Sequence, residues 1–220
     1  MTQATTGQSA AAKMNRQYRF QRHIYDATRT HYLFWRTRLI RDLNPPDGGR
    51  VVEIACGTGW NLIHAARMYP RAKFYGLDIS REMLTTAQTK IAAAGLSPRV
   101  ALAESDATDF DLLTLFGVAN PDRIFISYAL SMIPDWPAAI DGAARTLSPG
   151  GSLAIVDFGP MHDMPPPARW ALRRWLKHYN VTPRDDLERV ARDTARKYGL
   201  SMTFETTRKG YSAYAVLQKP

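Results

Sequence analysis

The chain has 220 residues, 45% of them hydrophobic, with a net charge of +9 and a mean hydropathy of −0.32. That is enough for one domain with a sizeable core, while no apolar run approaches the roughly 20 residues of a membrane-crossing helix. One cysteine, and five histidines without ligand spacing, argue against a disulfide framework and against a metal site. The charge excess suits nucleic acid or an anionic membrane surface equally well, so its placement has to decide.

Residues 1–13 are rich in Thr, Gln and Ala with no apolar core. They read as a disordered tail rather than a targeting peptide, and the single Cys56, unable to pair within the chain, fits a reducing cytoplasm. Residues 14–43 form a helical cap crowded with Arg and aromatics, ended by the breaker-rich NPPDGG at 44–49. Then follow strand 50–55, helix 60–69, strand 72–78, helix 80–94 and strand 99–104. Ser80 caps helix 80–94, whose apolar stripe is Met83, Leu84, Ala87 and Ile91. A short helical piece after Asp106 leads to a buried strand at 122–127, helix 136–147 and the strand LAIVDF at 153–158. Residues 159–182 are an insertion. Thr182-Pro183 predicts a helix start, Gly199 its end, and strands 200–207 and 211–218 a closing hairpin. Strands and helices alternating at these lengths predict an α/β fold, a parallel sheet covered on both faces.

The most informative stretch is VVEIACGTGW at 51–60. β-Branched residues run into a turn where Gly57 and Gly59 let the backbone approach a ligand. The next apolar strand ends in Asp78, where nucleotide-binding α/β folds place a carboxylate for ribose hydroxyls. A dinucleotide site would want a third small residue where Leu62 stands, and no Lys-Ser/Thr follows for a phosphate loop. S-adenosylmethionine carries ribose, adenine and an amino-acid tail but no phosphate, and needs little beyond the turn and the carboxylate. An ordinary tight turn is the competing explanation. Glu53, CGTG and Asp78 in register with the strand–helix alternation make it the weaker one.

Five parallel strands closed by a hairpin resemble the class I S-adenosylmethionine-dependent methyltransferases. The resemblance implies a Rossmann-like seven-stranded sheet with the last strand antiparallel, N-terminal helices and an insertion after strand five, all within a single methyltransferase domain over 14–220. It places Glu53, Gly57 and Gly59 at the methionine end of the cofactor, with Cys56 from the same loop, Asn61 from the start of the helix that follows and Ser127 from the end of strand four. Asp78 would accept from both ribose hydroxyls and Ile79 would pack on adenine. Asp106 would accept from the adenine amino group, Ala107 would supply an amide, and Met83 would contact the cofactor from its helix. S-adenosylhomocysteine would be the product. After strand four, SYALSMIPD stands where amino-directed nucleic-acid enzymes carry Asn/Asp-Pro-Pro-Tyr, so a nucleic-acid substrate loses its main support.

The cations concentrate elsewhere. On a helical wheel of ARWALRRWLKHY (168–179), Ala171, Leu172, Trp175, Leu176 and Tyr179 share one arc. Arg173, Arg174, Lys177 and His178 take the other, with Trp170 among them. This pattern suits an interfacial membrane helix acting as a lid at the active-site rim, as well as a surface helix packed on its own domain.

Three blocks carry a closer resemblance: HIYDATRTHYLFWRTRLI at 23–40, RIFISYALSMIPDWPAAI at 123–140, and IVDFG with VTPRDDL at 155–159 and 181–187. They look like the bacterial diacylglycerylhomoserine N-methyltransferases, which methylate one amine three times to complete a betaine lipid. The first block is shared with ubiquinone and menaquinone C-methyltransferases, although Arg29 stands where those carry Asn-Asp. The implied substrate is a lipid head group at an anionic membrane surface, with peripheral membrane association. Tyr25, His31, Tyr128 and Asp157 are the candidate catalytic residues. His31, Tyr128 and Asp157 are bases or positioners, and Tyr25, Tyr32, Trp35 and Tyr128 are rings for a quaternary product. Arg29 and Arg208 are possible partners of the homoserine carboxylate. Phosphatidylethanolamine methylation, quinone C-methylation and an RNA-associated cofactor-binding module remain the alternatives.

Overall fold

The computed structural model describes residues 33–207 and 209–220. The tail, most of the expected N-terminal cap, Tyr25, His31, Arg29, Tyr32 and Arg208 lie outside the described residues. Seven strands make one sheet: β1 (Arg50–Ile54), β2 (Lys73–Asp78), β3 (Val100–Glu104), β4 (Arg123–Ser127), β5 (Ser152–Phe158), β6 (Ser201–Thr207) and β7 (Ser212–Gln218). Their spatial order is β3-β2-β1-β4-β5-β7-β6. β7 runs antiparallel to β5 and β6, and the remaining pairs are parallel. The expected Rossmann-like class I sheet is the observed one.

The central strands are apolar runs because both of their faces are covered. Val51 to Ile54, Ile124 to Ile126 and Leu153 to Phe158 are all buried. On one face lie α1 (Arg36–Asp42), α2 (Trp60–Met68), α3 (Arg81–Ala93) and α6 (Pro166–His178), joined through Leu39, Leu62, Ile91, Phe125 and Leu176. On the other lie α4 (Leu112–Phe116), α5 (Trp136–Thr146) and α7 (Leu187–Tyr198), joined through Leu112, Ile140, Ala191 and Ile155. Edge strand β6 alternates exposed Ser201, Thr203 and Glu205 with half-buried Met202 and Phe204, the one-sided pattern of a solvated edge.

Local capping signals hold where nothing competes with them. Ser80 Oγ accepts from the Met83 N–H at 3.3 Å and starts α3. Asp111 Oδ1 accepts from the Leu113 N–H at 3.0 Å and starts α4, which ends at the left-handed Gly117. The start expected at Thr182-Pro183 is a correction: α7 begins at Leu187. Tertiary bonds hold the intervening segment out of the helix. The Thr182 N–H donates to Ser131 O (2.9 Å), while Arg184 donates to Leu130 O (2.9 Å) and Ile133 O (2.7 Å). The helix expected over 168–179 is observed as α6; of the arc Ala171, Leu172, Trp175, Leu176 and Tyr179, only Leu176 is buried and Leu172 half-buried, whereas the other three face outward.

One close approach ties the sheet to the loop above β1. A Cβ on Gly76 would lie 2.5 Å from Leu62 Cδ1 and 2.9 Å from both Cys56 Sγ and Leu102 Cδ2. Cys56 is thus a buried filler between α2 and β2. Overpacking a sealed core site costs on the order of 1–3 kcal/mol. Gly76→Ala is therefore expected to lower the unfolding free energy by that amount, read as a lower urea midpoint at unchanged slope; an unchanged midpoint would refute the packing role.

Candidate active site

Strand order reverses between β1 and β4, because the chain winds outward to β2 and β3 on one side and to β5 on the other. A crevice opens outside the carboxyl ends of strands at such a switch point. Both strand ends show strained backbone there. Ala55 (φ 57°) follows β1 and Tyr128 (φ 54°) follows β4. Left-handed conformations at non-glycine residues cost on the order of 1–3 kcal/mol and gather at functional sites.

Above β1 the loop turns through Gly57 (φ 54°) and Gly59 (φ 75°). A Cβ on Gly59 would lie 3.0 Å from Ala87 Cβ, so the loop packs tightly on α3. A Cβ on Gly57 would meet nothing within 4 Å, which leaves open space above that residue. The loop is pinned to β2 by the Asp78 carboxylate, which accepts from the Gly57 N–H (2.8 Å) and the Ser80 N–H (2.9 Å). Burial pushes the Asp78 carboxyl upward against the opposing effect of those two N–H groups.

Glu53 is fully buried at the end of β1. Its Oε1 accepts from Asn61 Nδ2 at 2.5 Å, while Oε2 has no hydrogen-bond partner among the described residues. Burial drives its carboxyl up to about 8, against the Asn61 hydrogen bond and the Arg36 charge. Ser127 Oγ, at the end of β4, is a second buried oxygen without a partner among the described residues. These orphans mark a place where a ligand finishes the hydrogen bonding.

The remaining expected residues divide between backbone and core roles. Cys56 lies in the loop, but its thiol is buried and pushed well up by burial and by the charges of Asp78 and Glu53, which makes it unreactive. Met83 packs in the core and Ala107 is buried beside Leu112 and Leu77. Ile79 is partly exposed beside Asp78. Asp106 is exposed, with Oδ1 accepting from the Thr108 N–H (2.8 Å) and Oγ1 (2.7 Å) in a local turn. Tyr128 is buried, its hydroxyl donating to Phe34 O (2.7 Å) and pairing with Ser212 Oγ (2.8 Å), and burial pushes its pKa far upward. Asp157 points to the opposite face of the sheet. Its oxygens accept from Ser131 N–H (3.1 Å) and Phe158 N–H (2.7 Å), and burial raises it to about 6. Both groups hold the turn after β4. Arg36, in contact with Asn61, and Trp60, over which Arg36 lies, were not singled out by sequence reasoning.

Among the described residues no three metal-ligating side chains gather, and no helix is long and apolar enough to cross a membrane.

Residues 51–151 match the family model described as a methyltransferase domain. The demethylmenaquinone methyltransferase of Geobacillus stearothermophilus is 30% identical over 146 residues, covering 66% of this chain and 56% of that protein. The ubiquinone/menaquinone biosynthesis C-methyltransferase of Syntrophotalea carbinolica is 29% identical over 124 residues, 56% of this chain and 50% of its own. The match thus spans about half the length of these curated relatives. Among solved structures, Haemonchus contortus phosphoethanolamine N-methyltransferase 2 with S-adenosyl-L-methionine superposes with TM-score 0.69 at 17% identity, covering 84% of this chain and 52% of that one. An S-adenosylmethionine-dependent methyltransferase of Aquifex aeolicus gives TM-score 0.63 at 19% identity, covering 86% and 92%. The fold is the class I methyltransferase fold, and residues 51–151, which match the methyltransferase-domain model, hold the glycine loop, Asp78 and the end of β4. The residues present fit S-adenosylmethionine: open space above Gly57, a carboxylate at Asp78, and oxygens of Glu53 and Ser127 without a partner among the described residues.

Glu53 yields a prediction with opposite signs for folding and binding. Its folded value, about 8, lies above the ordinary 4.5, so between those values the unfolded chain loses a proton that the folded chain keeps. Stability of the ligand-free protein therefore falls as pH rises through that window and levels off above it. Glu53→Gln should remove this loss, so that its melting temperature exceeds that of the wild type by a margin that widens from pH 6 to pH 9. Binding of S-adenosylhomocysteine should strengthen over the same range in the wild type and be weak and flat in the variant. A parallel pH dependence of both melting curves would refute the assignment.

Proposed function

We propose that the protein is an N-methyltransferase that successively methylates the amine of diacylglycerylhomoserine to the trimethyl betaine lipid. Bound S-adenosylmethionine supplies a methyl group on a sulfonium, which an amine takes with only a transfer of positive charge. What the protein must add is alignment and exclusion of water. Glu53, Asp78 and Ser127 hold the cofactor end of the crevice. Tyr128 and Asp157 shape the turn after β4 and lend no base, since their polar atoms already bond Phe34, Ser212, Ser131 and Phe158. The first ammonium proton leaves to water or to a nearby base, for which His31, outside the described residues, is the remaining candidate. The observation that carries the reading is the exposed aromatic and cationic face of α6 at the end of the insertion after β5. The second reading, demethylmenaquinone-type C-methylation, is favoured by the curated relatives.

Substrate access supports the lipid reading. α6 follows the carboxyl end of β5 and exposes Trp170 (67%), Trp175 (44%) and Tyr179 (40%), three of the five exposed large hydrophobic residues among those described. Arg174 stacks 5.7 Å from the Trp170 ring centroid, and Lys177 and His178 are exposed beside it. No carboxylate occurs between Met164 and Pro183. Aromatics and cations mixed on one solvent face suit the interface of an anionic bilayer.

With labelled cofactor and separate lipids, product is expected from diacylglycerylhomoserine in three steps, and not from phosphatidylethanolamine or demethylmenaquinol. Product from the quinol alone would replace this reading. In flotation with phosphatidylglycerol vesicles, Trp170→Ser with Trp175→Ser should lose most binding while keeping the wild-type melting temperature. Unchanged flotation would remove the membrane role of α6.

A further inference from the structure

The amino-acid end of the cofactor is a zwitterion. The unpaired Oε2 of Glu53 matches its ammonium and does nothing for its carboxylate, which wants a cation. A cation is built into the same site from a different part of the chain. Arg36, the first residue of α1, donates Nε–H to Asn61 Oδ1 at 3.0 Å, and Asn61 passes the contact on to Glu53 through its Nδ2. The guanidinium lies over the Trp60 ring with Cζ 4.1 Å from the centroid, and Trp60 is itself stacked on His64 at 3.7 Å. A hydrogen bond in the plane and a ring beneath it fix the fork in two directions. Arg36 also acts on both strand ends of the crevice, since its charge bears on Glu53 near the end of β1 and on Tyr128 just after β4.

We propose that Arg36, Asn61 and Glu53 read the amino-acid end of the cofactor as a unit. Arg36 takes the carboxylate, Glu53 takes the ammonium, and the Asn61 amide spaces the two charges. An anion, an amide and a cation in series are the electrostatic complement of an α-amino acid. The inference rests on S-adenosylmethionine as cofactor and not on the lipid substrate. It also gives the segment before β1 a stake in cofactor binding. That segment is fastened at Phe34, whose carbonyl accepts from Tyr128, and at Arg38, which forks onto Glu205 at 3.0 and 2.5 Å. Seating of the segment and recognition of the zwitterion therefore favour each other.

The rival role for Arg36 is that of a bolt between α1 and α2. Calorimetric titration with three ligands separates the two: S-adenosylhomocysteine, its decarboxylated analogue with a 3-aminopropyl thioether, and 5′-methylthioadenosine, which lacks both charged groups. Losing a hydrogen bond to a charged group costs about 1.5–3 kcal/mol, roughly ten- to a hundredfold in affinity. Arg36→Gln should lose that much for S-adenosylhomocysteine and less than about threefold for the decarboxylated analogue. Arg36→Lys should fall between, retaining charge without the planar fork. Glu53→Gln should weaken both amine-bearing ligands alike and leave 5′-methylthioadenosine unchanged. Equal losses for the first two ligands in Arg36→Gln, or no loss for either, would overturn the assignment. Retained binding of 5′-methylthioadenosine verifies the folded site, and if Arg36→Gln does not fold, Arg36→Lys carries the same comparison. A wild-type protein that ignores S-adenosylhomocysteine would instead sink the cofactor reading itself.

Discussion

A carboxyl group sealed beneath the crevice between β1 and β4 is the constraint around which the site is arranged. Glu53 is fully buried, bonded through one oxygen only among the described residues, and raised to about 8 by desolvation. A core selected for stability alone would not keep such a group, because an unpaired buried polar atom costs on the order of 1–3 kcal/mol. Two neighbouring features add cost in the same place, the left-handed Ala55 and Tyr128 and the unpaired Ser127 hydroxyl. Unfavourable terms concentrated at adjacent strand ends are what a preorganised binding site looks like before its ligand contributes.

Asp78 plays a different part from Glu53 although both are carboxylates at strand ends. Its oxygens already accept from Gly57 and Ser80. It therefore fixes the loop geometry before any ribose arrives, and retains lone pairs directed elsewhere because a carboxylate offers about four acceptor sites. The same residue thus couples β2 to the glycine turn. The packing of Leu62, Cys56 and Gly76 beneath the turn makes that coupling stiff.

How much of this was legible in the sequence depended on how local the cause was. The strand–turn–helix at 50–60 and Asp78 could be read because their signals are backbone chemistry: β-branched runs, glycines with positive φ, a carboxylate at a strand end. Ser80 was read as a cap and is one. Thr182-Pro183 carried an equally good local signal and failed, because hydrogen bonds to Ser131, Leu130 and Ile133 hold that segment against the turn after β4. Periodicity gave α6 its helix but not its orientation. A wheel fixes which residues share an arc, and only tertiary packing decides that Leu172 and Leu176 turn inward while Trp175 and Tyr179 do not. Arg36 and Asn61 stand 25 residues apart, and no spacing rule joins an arginine before the first strand to an amide after the glycine turn.

The excess positive charge, ambiguous as a sum, becomes interpretable once divided by what each cation touches. On α7, Arg189 and Arg192 pair with Asp193 and Glu188 of their own helix, and Lys197 pairs with Asp141. Such exposed pairs are worth at most about 1 kcal/mol each and cancel much of the field around them. Arg38 and Arg184 are structural, one fastening α1 to β6 and the other holding the turn after β4. On α6 the balance is different. Arg173 is tied to Asp185 and to Pro160 O, but Arg174, Lys177 and His178 lie on a face whose other members are tryptophan, tyrosine and alanine. Local composition rather than net charge gives that face its field. α6 also shares its buried side, through Leu176, with the cluster holding Tyr128, Phe158 and Tyr211. Edge-to-face contacts at 4.9, 5.6 and 5.3 Å carry that cluster from Tyr128 through Phe158 and Tyr211 to Phe34. This chain of largely buried rings packs the turn after β4 against the segment before β1 and so keeps water from the space between them.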